Sequence, residues 1–247
     1  MRGLALLSFN KVSLPNMVGM FRYEFLPYLM QLERTGLIRN AIRAAFELDS
    51  HCMRVLSMMR HFAEQHSMTR AEIEMFSKAG LVHDVGKIDA RIVPLWASSK
   101  VLSGEERRKV REIHISEEST ERGIELLGID PESVPEEAWW AMRLHHIRKD
   151  GSGYPREYPE LPEMIWVLVI LDAVEAMTSG VRFLGRETKQ HINPLLHAYE
   201  ELQGEVSVGK LPVELVRRVF EVLFNTQPKT GSVLPVILGE LLKEERN

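Results

Sequence analysis

Two adjacent histidines, His145 and His146, stand shortly before a glycine-rich stretch with the sequence DGSGYP. Consecutive side chains on a helix diverge by about 100°, so the two rings cannot both face one apolar core. At least one imidazole therefore needs a polar partner, and neutral imidazole is a common metal ligand. Taken alone, the pair is equally compatible with two half-solvated histidines beside a loop. The other histidines and carboxylates of the chain decide between these interpretations.

The sequence HDVGK at 83–87 brings an imidazole, a carboxylate and an ammonium group together. If the preceding helix continued through this motif, His83 and Lys87 would lie on one helix face, four residues apart. His83 and Asp84 would then reach a metal ion from neighbouring directions. The alternative is a histidine at a helix C-terminus beside a solvated Asp–Lys pair.

Further candidate ligands occur in other helical stretches. His51 and His114 lie in two of them, and Asp172 follows eight apolar residues, MIWVLVIL. A carboxylate at that position would be a costly buried charge unless a cation neutralised it. Histidines and aspartates together favour Fe, Mn or Zn over Ca or Mg. Because adjacent histidines diverge, they suit two ions about 3.5–4 Å apart. The remaining histidines lack a partner pattern and are expected to be solvated or at helix ends: His61, His66, His191 and His197.

The elements that must position these residues are predicted to be helices, which makes the class all-α. Apolar residues recur at helical spacing over 37–66, and no sustained period-two alternation indicates a strand. Loops rich in glycine, proline and serine are predicted at 86–102 and 148–161, and Gly180 is expected to end the helix that carries Asp172. Two helix starts are indicated by capping-box sequences, Thr69 with Glu72 for a helix through Val82 and Ser103 with Glu106. Prolines expected in the first turn indicate three more starts, at Pro135, Pro162 and Pro212.

Composition bounds the class of protein. Of the 247 residues, 45% are hydrophobic and 27% are charged, which is typical of a globular chain and not of a disordered one. The net charge of −4 predicts no duplex nucleic acid partner. The single cysteine, Cys52, excludes an intramolecular disulfide and is expected to fill core space. No apolar run approaches the roughly 18 residues of a membrane span, so a cytoplasmic protein without a membrane partner is expected.

The ordered set of motifs resembles the HD-GYP family of the HD phosphohydrolase superfamily, bacterial phosphodiesterases that open cyclic di-GMP. HD alone is a weak signal, whereas the whole combination is hard to reach by chance. The resemblance implies an HD-superfamily helical bundle with the HD-GYP elaboration over 41–227, between an N-terminal helical or irregular extension at 1–40 and a C-terminal helical tail at 228–247. The matching stretches follow the family's order: HCMRV at 51–55, HDVGKI at 83–88, His114, HHIRKDGSGYP at 145–155 and DAVEAMTS at 172–179.

The resemblance also implies roles for individual residues. Lys87 would bind the phosphate and act in catalysis. Tyr154 is a candidate substrate contact, and its alternative role is to pack the loop at 148–161, called the GYP loop below, against the helices. Some family members hold a third ion through a glutamate one turn before the first histidine, the position of Glu47. Seven side chains would ligate two transition-metal ions, iron or manganese, with Asp84 as the catalytic bridge: His51, His83, Asp84, His114, His145, His146 and Asp172.

The chain departs from the family pattern at several positions. Ile147 replaces a glutamate after the histidine pair, residues 97–99 replace a Lys-Pro-Gly turn, and residues 181–183 read Val-Arg-Phe instead of Arg-Pro-Tyr. In the family, the arginine of that signature helps to hold the substrate's phosphates. The change therefore concerns substrate identity more than metal binding, and Arg182 and Arg186 are candidate replacements.

These residues predict metal-dependent hydrolysis of a cyclic dinucleotide, with cyclic di-GMP as the first candidate and linear pGpG or GMP as the product. Two alternatives stay open. One is an HD-type phosphohydrolase that acts on another cyclic dinucleotide or a nucleotide. The other is a non-catalytic module that binds a nucleotide, or a diguanylate cyclase-type protein through the GYP surface. A homodimer is also left open. The presence of all seven ligand positions and Lys87 favours an enzyme.

Overall fold

The computed structural model of the chain describes residues 38–89, 91–96, 102–179 and 193–225; side chains are described there except at positions 38–47, 49, 94 and 96. Within these ranges the regular elements are helices and no strand is found, which confirms the all-α class. The proposed extension at 1–40, apart from its last three residues, and the proposed tail at 228–247 lie outside the described residues.

The described elements follow one another along the chain in this order. The longest, α1, spans Ile38–Gln65 and packs along α2, Arg70–Val82. A 3₁₀ turn (Val85–Ile88) comes next. The remaining elements are α3 (Val93–Trp96), α4 (Gly104–His114), α5 (Glu117–Leu126), a 3₁₀ turn (Pro131–Ser133), α6 (Glu136–Leu144), α7 (Glu163–Thr178), α8 (Pro194–Ser207) and α9 (Val213–Asn225). None of the described helices is long and apolar enough to cross a bilayer.

The capping signals begin helices as predicted. The Thr69 hydroxyl accepts a hydrogen bond from the Glu72 amide at 3.3 Å, and the Glu72 carboxylate accepts one from the Thr69 amide at 2.7 Å. Ser103 and Glu106 form the same reciprocal pair at the start of α4. Both capping boxes satisfy amide groups that the first helical turn leaves without a partner.

Two of the predicted first-turn prolines lie one residue earlier than expected. Pro135 and Pro162 are the N-caps of α6 and α7, with extended ψ angles of 155° and 152°. The carbonyl of Pro135 accepts the first helical bond, from Ala138 at 3.0 Å. The fixed φ angle of proline suits either position, so the amino acid by itself does not determine which of the two it occupies.

The predicted end of helix α2 at Val82 is confirmed, and the helix does not continue through HDVGK. Helix α2 ends at Val82, His83 is its C-cap, and the chain turns into 3₁₀ geometry at Val85. The reason lies at Gly86, where a Cβ atom would stand only 1.8 Å from the carbonyl oxygen of His114. The turn packs directly against the end of α4, and only glycine permits this approach.

The predicted loop at 86–102 contains more regular structure than expected. It begins with the 3₁₀ turn and includes α3, and Ile92 and Val93 are fully buried in the core. These apolar side chains anchor a segment whose composition is typical of a loop. The second predicted loop, at 148–161, contains no helix.

Apolar side chains form two neighbouring core clusters. The first contains Leu48 and Leu56 of α1 and the fully buried Cys52, as expected of core filler, together with Ile124. The second surrounds the late turns of α1 and includes Phe62, Ile165 and Phe220. Helices α1, α2 and α6 contribute to both clusters. The polar motifs of these helices are therefore held between two packed bodies of apolar side chains.

Candidate metal centre

The structure brings all seven predicted ligand side chains together, from α1, the turn after α2, the ends of α4 and α6, and α7. Two groups have ligand atoms that all lie within 4.8 Å of one another: His51, His83 and Asp84, and Asp84, His114, His145 and His146. Asp172 joins the first group, because its Oδ1 atom lies 3.1 Å from His51 Nε2 and 3.7 Å from His83 Nε2. Asp84 is common to both groups, which is the arrangement expected of a bridging carboxylate.

Three of the histidines are oriented in the same way. In each, Nδ1 donates to a backbone carbonyl about one helical turn earlier, which can only accept a hydrogen bond. The other nitrogen, Nε2, is then left with its lone pair facing the cluster, as in histidines that bind metals. The pairs are His83 with Gly80 at 2.8 Å, His114 with Val110 at 2.8 Å and His145 with Ala141 at 2.9 Å.

Three buried polar atoms at this centre lack hydrogen-bond partners. Among the described residues, four buried side-chain polar atoms have none: Asp84 Oδ1, His114 Nε2, His145 Nε2 and, outside the cluster, His61 Nε2. His145 Nε2 lies 3.4 Å from Asp84 Oδ1 without forming a hydrogen bond of acceptable geometry. A buried polar atom without a partner costs about 1–3 kcal/mol. A cation between these nitrogens and the carboxylate would satisfy all three atoms, so the residues fit a transition metal.

Protonation at the centre suits metal binding on most of the ligands. Burial acts to raise the pKa of Asp84, but Lys87 and the nearby histidines outweigh it and hold this pKa well below its ordinary value. Burial lowers the pKa of His114 to about 3 and also lowers the pKa values of His145 and His146. The carboxylate is therefore ionised and these imidazoles are neutral, the forms in which they ligate metals.

His51 behaves differently from the other histidines. Although burial opposes the charge, Asp172, Asp84 and Glu175 surround the ring and raise the pKa of His51 to about 11. Without a cation nearby, this imidazole carries a proton on each nitrogen. A metal ion at the first group would take the place of the Nε2 proton, because it supplies the positive charge that the carboxylates require.

Lys87 reaches the centre from the 3₁₀ turn and donates a hydrogen bond from Nζ to Asp84. Burial opposes its charge, but Asp84 and Asp172 outweigh burial and raise the pKa of Lys87. Lys87 is therefore an ammonium group beside the shared carboxylate. A continuous helix through HDVGK would have brought Lys87 near His83 and Asp84, but the 3₁₀ turn produces this proximity instead.

The GYP loop folds over the histidine pair. The ring of Tyr154 stacks on His146 with centroids 4.6 Å apart, and the Tyr154 amide donates to the His146 carbonyl at 3.1 Å. A Cβ atom on Gly153 would stand 2.5 Å from that carbonyl, so this approach requires glycine. The loop is tied to the rest of the protein by an ion pair between Arg148 and Glu205 at 2.7 Å. These contacts agree with the role of Tyr154 in packing the loop against the histidine pair. A contact between Tyr154 and substrate stays a prediction.

Glu175 is not among the site residues predicted from the sequence, although it lies in the DAVEAMTS stretch. Its side chain is buried and accepts hydrogen bonds from His51 Nδ1 and Arg54 Nε. The available signal was its position three residues after Asp172, on the same face of a helix that is otherwise apolar.

Some predicted site residues cannot be placed. Outside the described residues lie the side chain of Glu47 and the whole of Arg182 and Arg186. The same holds for Gly180 and for the ranges 97–99 and 181–183. Of the histidines left out of the site, His66 caps the end of α1, where Nδ1 bonds to the Phe62 carbonyl at 2.8 Å. This agrees with its expected helix-end role.

Comparison with known proteins supports the family seen in the motifs. The HD domain family model matches residues 48–177. The chain is 24% identical over 180 residues to 3'3'-cGAMP-specific phosphodiesterase 2 of Vibrio cholerae, covering 72% of this chain and 33% of that protein. It is 28% identical over 192 residues to 3'3'-cGAMP-specific phosphodiesterase 1 of the same organism, covering 76% and 40%.

A third relative is a cyclic di-GMP phosphodiesterase of Thermotoga maritima, 26% identical over 162 residues, which cover 64% of this chain and 40% of that protein. The matched region thus spans between a third and two fifths of the length of these relatives. The family model covers more than half of the chain, and its matched range includes all seven candidate ligands of the cluster. The chain belongs to the HD domain family.

Proposed function

We propose that this chain is a metal-dependent phosphodiesterase that hydrolyses a cyclic dinucleotide. The observation that carries the proposal is the position of Asp84, an ionised carboxylate common to two groups of imidazole ligands and bonded to the Lys87 ammonium. The names of the relatives support the substrate class, because each is described as a phosphodiesterase of a cyclic dinucleotide.

The proposed ligands divide between two ions. One ion would be held by His51, His83, Asp84 and Asp172, and the other by Asp84, His114, His145 and His146. When bound, two such ions lower the pKa of a water molecule and stabilise negative charge on a phosphate. Iron and manganese are the proposed metals, since the ligands combine imidazole nitrogens with carboxylate oxygens.

The residues of the chain supply the rest of the chemistry. Asp84 fixes the spacing between the two groups of ligands because it belongs to both. Lys87 provides a fixed positive charge beside the position where a phosphate would bind, and it stabilises the charge that develops during hydrolysis. Burial of the centre strengthens this electrostatic effect, since water screens it less. Tyr154 of the GYP loop covers one face of the His146 ring.

Cyclic di-GMP and 3'3'-cGAMP are the two substrates that the relatives favour. Arg182 and Arg186 are the proposed phosphate contacts in place of the family's Arg-Pro-Tyr signature. A diguanylate cyclase-type partner at the GYP surface, a homodimer and a cytoplasmic location are separate proposals that the hydrolase function does not require.

The test begins with protein purified anaerobically and reconstituted with Fe²⁺ or Mn²⁺. Cyclic di-GMP, 3'3'-cGAMP and cyclic di-AMP are then assayed separately, and products are resolved by chromatography. We expect metal-dependent hydrolysis of at least one of them, absent in Asp84→Asn and retained in the matched control His66→Gln, whose histidine lies at the end of α1. A folded, metal-loaded protein that binds a cyclic dinucleotide without hydrolysing it would support the non-catalytic alternative instead.

A further inference from the structure

His51 is held in a way that differs from three other histidines of the centre. His83, His114 and His145 each donate from Nδ1 to a carbonyl of the preceding helical turn, a neutral acceptor. His51 instead bonds through Nδ1 to the carboxylate of Glu175, which comes from another helix, α7. A carboxylate withdraws the Nδ1 proton more strongly than a carbonyl does, and so makes the opposite nitrogen a better electron donor to a metal.

Both ring nitrogens of His51 are contacted from α7. Asp172 Oδ1 lies 3.1 Å from Nε2, and Glu175 bonds to Nδ1. The two carboxylates are three residues apart and therefore share one helix face. Glu175 cannot ligate the same ion as Asp172 through this contact, because the imidazole ring stands between them. Glu175 contacts Nδ1, the ring nitrogen away from Asp172, and in this position it orients His51.

The Glu175 carboxylate is itself fixed in position. Its Oε1 atom accepts from Arg54 Nε and its Oε2 atom accepts from His51 Nδ1, so each oxygen has a different partner. The Glu175 side chain is 4% exposed, whereas the Arg54 side chain is 42% exposed. Arg54 therefore balances the charge of a buried carboxylate while its own side chain is partly exposed to solvent. The ion pair also joins α1 and α7 next to the first group of ligands.

We propose that Glu175 and Arg54 are a positioning pair that keeps His51 protonated on Nδ1 and directs Nε2 at the ion of the first group. This inference rests on the proposed metal-dependent function. It gives the two ion sites different affinities, because the pair acts on the group that contains His51 and not on the group of His114, His145 and His146. The first site would then bind its ion more tightly than carbonyl-oriented histidines would allow.

The test is a metal titration of metal-free protein with Mn²⁺, followed by calorimetry, and with Co²⁺, followed by its visible absorption. In wild type we expect two binding steps. In Glu175→Gln the side-chain amide retains the shape but not the charge, and we expect one step to weaken by about 10–100-fold while the other is unchanged. The Co²⁺ spectrum of the weakened site should change as well. Arg54→Gln should weaken the same step by a smaller factor.

A matched control is available on the same helix. Glu163 of α7 forms an interhelical ion pair with Arg218 at 2.9 Å, away from the centre. Glu163→Gln removes a charge of the same kind from α7 and should leave both binding steps unchanged. If Glu175 served only to join α1 and α7, Glu175→Gln would resemble this control, with altered thermal stability and unaltered metal affinity.

The outcomes separate this inference from the proposed function. Two unchanged binding steps in Glu175→Gln, or equal weakening of both, would overturn the positioning role while leaving the metal centre in place. A folded wild-type protein that binds no ion would overturn the proposed function and this inference together. Circular dichroism of each variant establishes that it is folded before it is titrated.

Discussion

Lys87 donates a hydrogen bond from its ammonium group to Oδ2 of Asp84, the carboxylate common to both groups of candidate metal ligands. The other oxygen of Asp84, Oδ1, has no hydrogen-bond partner among the described residues. Oδ2 also lies 3.4 Å from His51 Nε2 and 3.6 Å from His83 Nε2, whereas Oδ1 lies 3.4 Å from His145 Nε2. The carboxylate thus faces histidines of both groups and contacts a cation that is not itself a candidate ligand. Mutation can therefore distinguish two proposed functions, assembly of the metal centre by Asp84 and stabilisation of a bound phosphate by Lys87.

Lys87→Ala should retain its metal and lose rate. The ammonium group is not a ligand, and removal of one preorganised charge typically lowers kcat by about 10²–10³-fold. Metal content by mass spectrometry and kcat on the best cyclic dinucleotide are the two measurements. Lys149→Ala, in the exposed part of the GYP loop, serves as the control. Turnover close to wild type would reduce Lys87 to a residue that only balances the charge of Asp84.

Asp84→Ala should lose both ions and all turnover, since the carboxylate belongs to both groups of ligands. Metal analysis of the purified variant after reconstitution measures this directly. Asp150→Asn is a suitable control, because Asp150 is exposed and bonds to Ser152 within its own loop. Retention of two ions by a folded Asp84→Ala protein would show that the bridge assignment is wrong.

Tyr154 can be tested for its two candidate roles with a pair of substitutions. Tyr154→Phe keeps the ring that stacks on His146, whereas Tyr154→Ala removes it. If the ring positions His146, Tyr154→Ala should weaken one metal-binding step by about 10–100-fold and Tyr154→Phe should match wild type. If the hydroxyl contacts substrate, Tyr154→Phe should raise KM while metal affinity is unchanged.

Asp89 should make the stability of the protein depend on pH. The buried carboxylate accepts hydrogen bonds from Arg91 at 2.7 Å and Ser119 at 2.8 Å. Burial opposes the charge, but these bonds lower the pKa of Asp89 below 3.8. Because the folded pKa lies below the unfolded one, the stabilisation is present above pH 3.8 and is lost as the pH falls through the folded pKa.

Asp89→Asn should therefore lower the free energy of unfolding by about 1.5–3 kcal/mol at pH 7 and by less at pH 3. Urea denaturation at the two pH values measures the difference. Glu118→Gln removes the exposed carboxylate that also pairs with Arg91, at 2.7 Å, and should have little effect at either pH. An equal loss in Asp89→Asn at both pH values would contradict a role for the Asp89 charge.

Glu47→Gln tests for a third ion. Glu47 lies one helical turn before His51 in the sequence, so a third metal bound there would stand near the phosphate. With a third site, the variant should lose about one ion and accumulate the linear dinucleotide. If Glu47 instead pairs with Arg43 on a wet face, metal content and the ratio of products should equal those of wild type.

Local features of the fold were predicted correctly from the sequence. The capping boxes at Thr69 and Ser103 involve atoms within one helical turn, and the helix starts follow from those few residues. The seven candidate ligands could also be predicted from the sequence, because their motifs follow the order of the family that they resemble, and the structure brings the seven side chains together. Their binding of metal stays a prediction.

Contacts between distant residues could not be predicted in the same way. The turn at HDVGK forms because Gly86 packs against His114, 28 positions along the chain, and nothing within the motif itself signals that contact. The bond between Glu175 and His51 joins residues 124 positions apart. The types and order of the residues determined which chemistry this chain carries. Packing of α1, α7 and the turn after α2 decided which atoms face the centre and which carboxylate stands behind a histidine, because those positions depend on the close packing of whole helices.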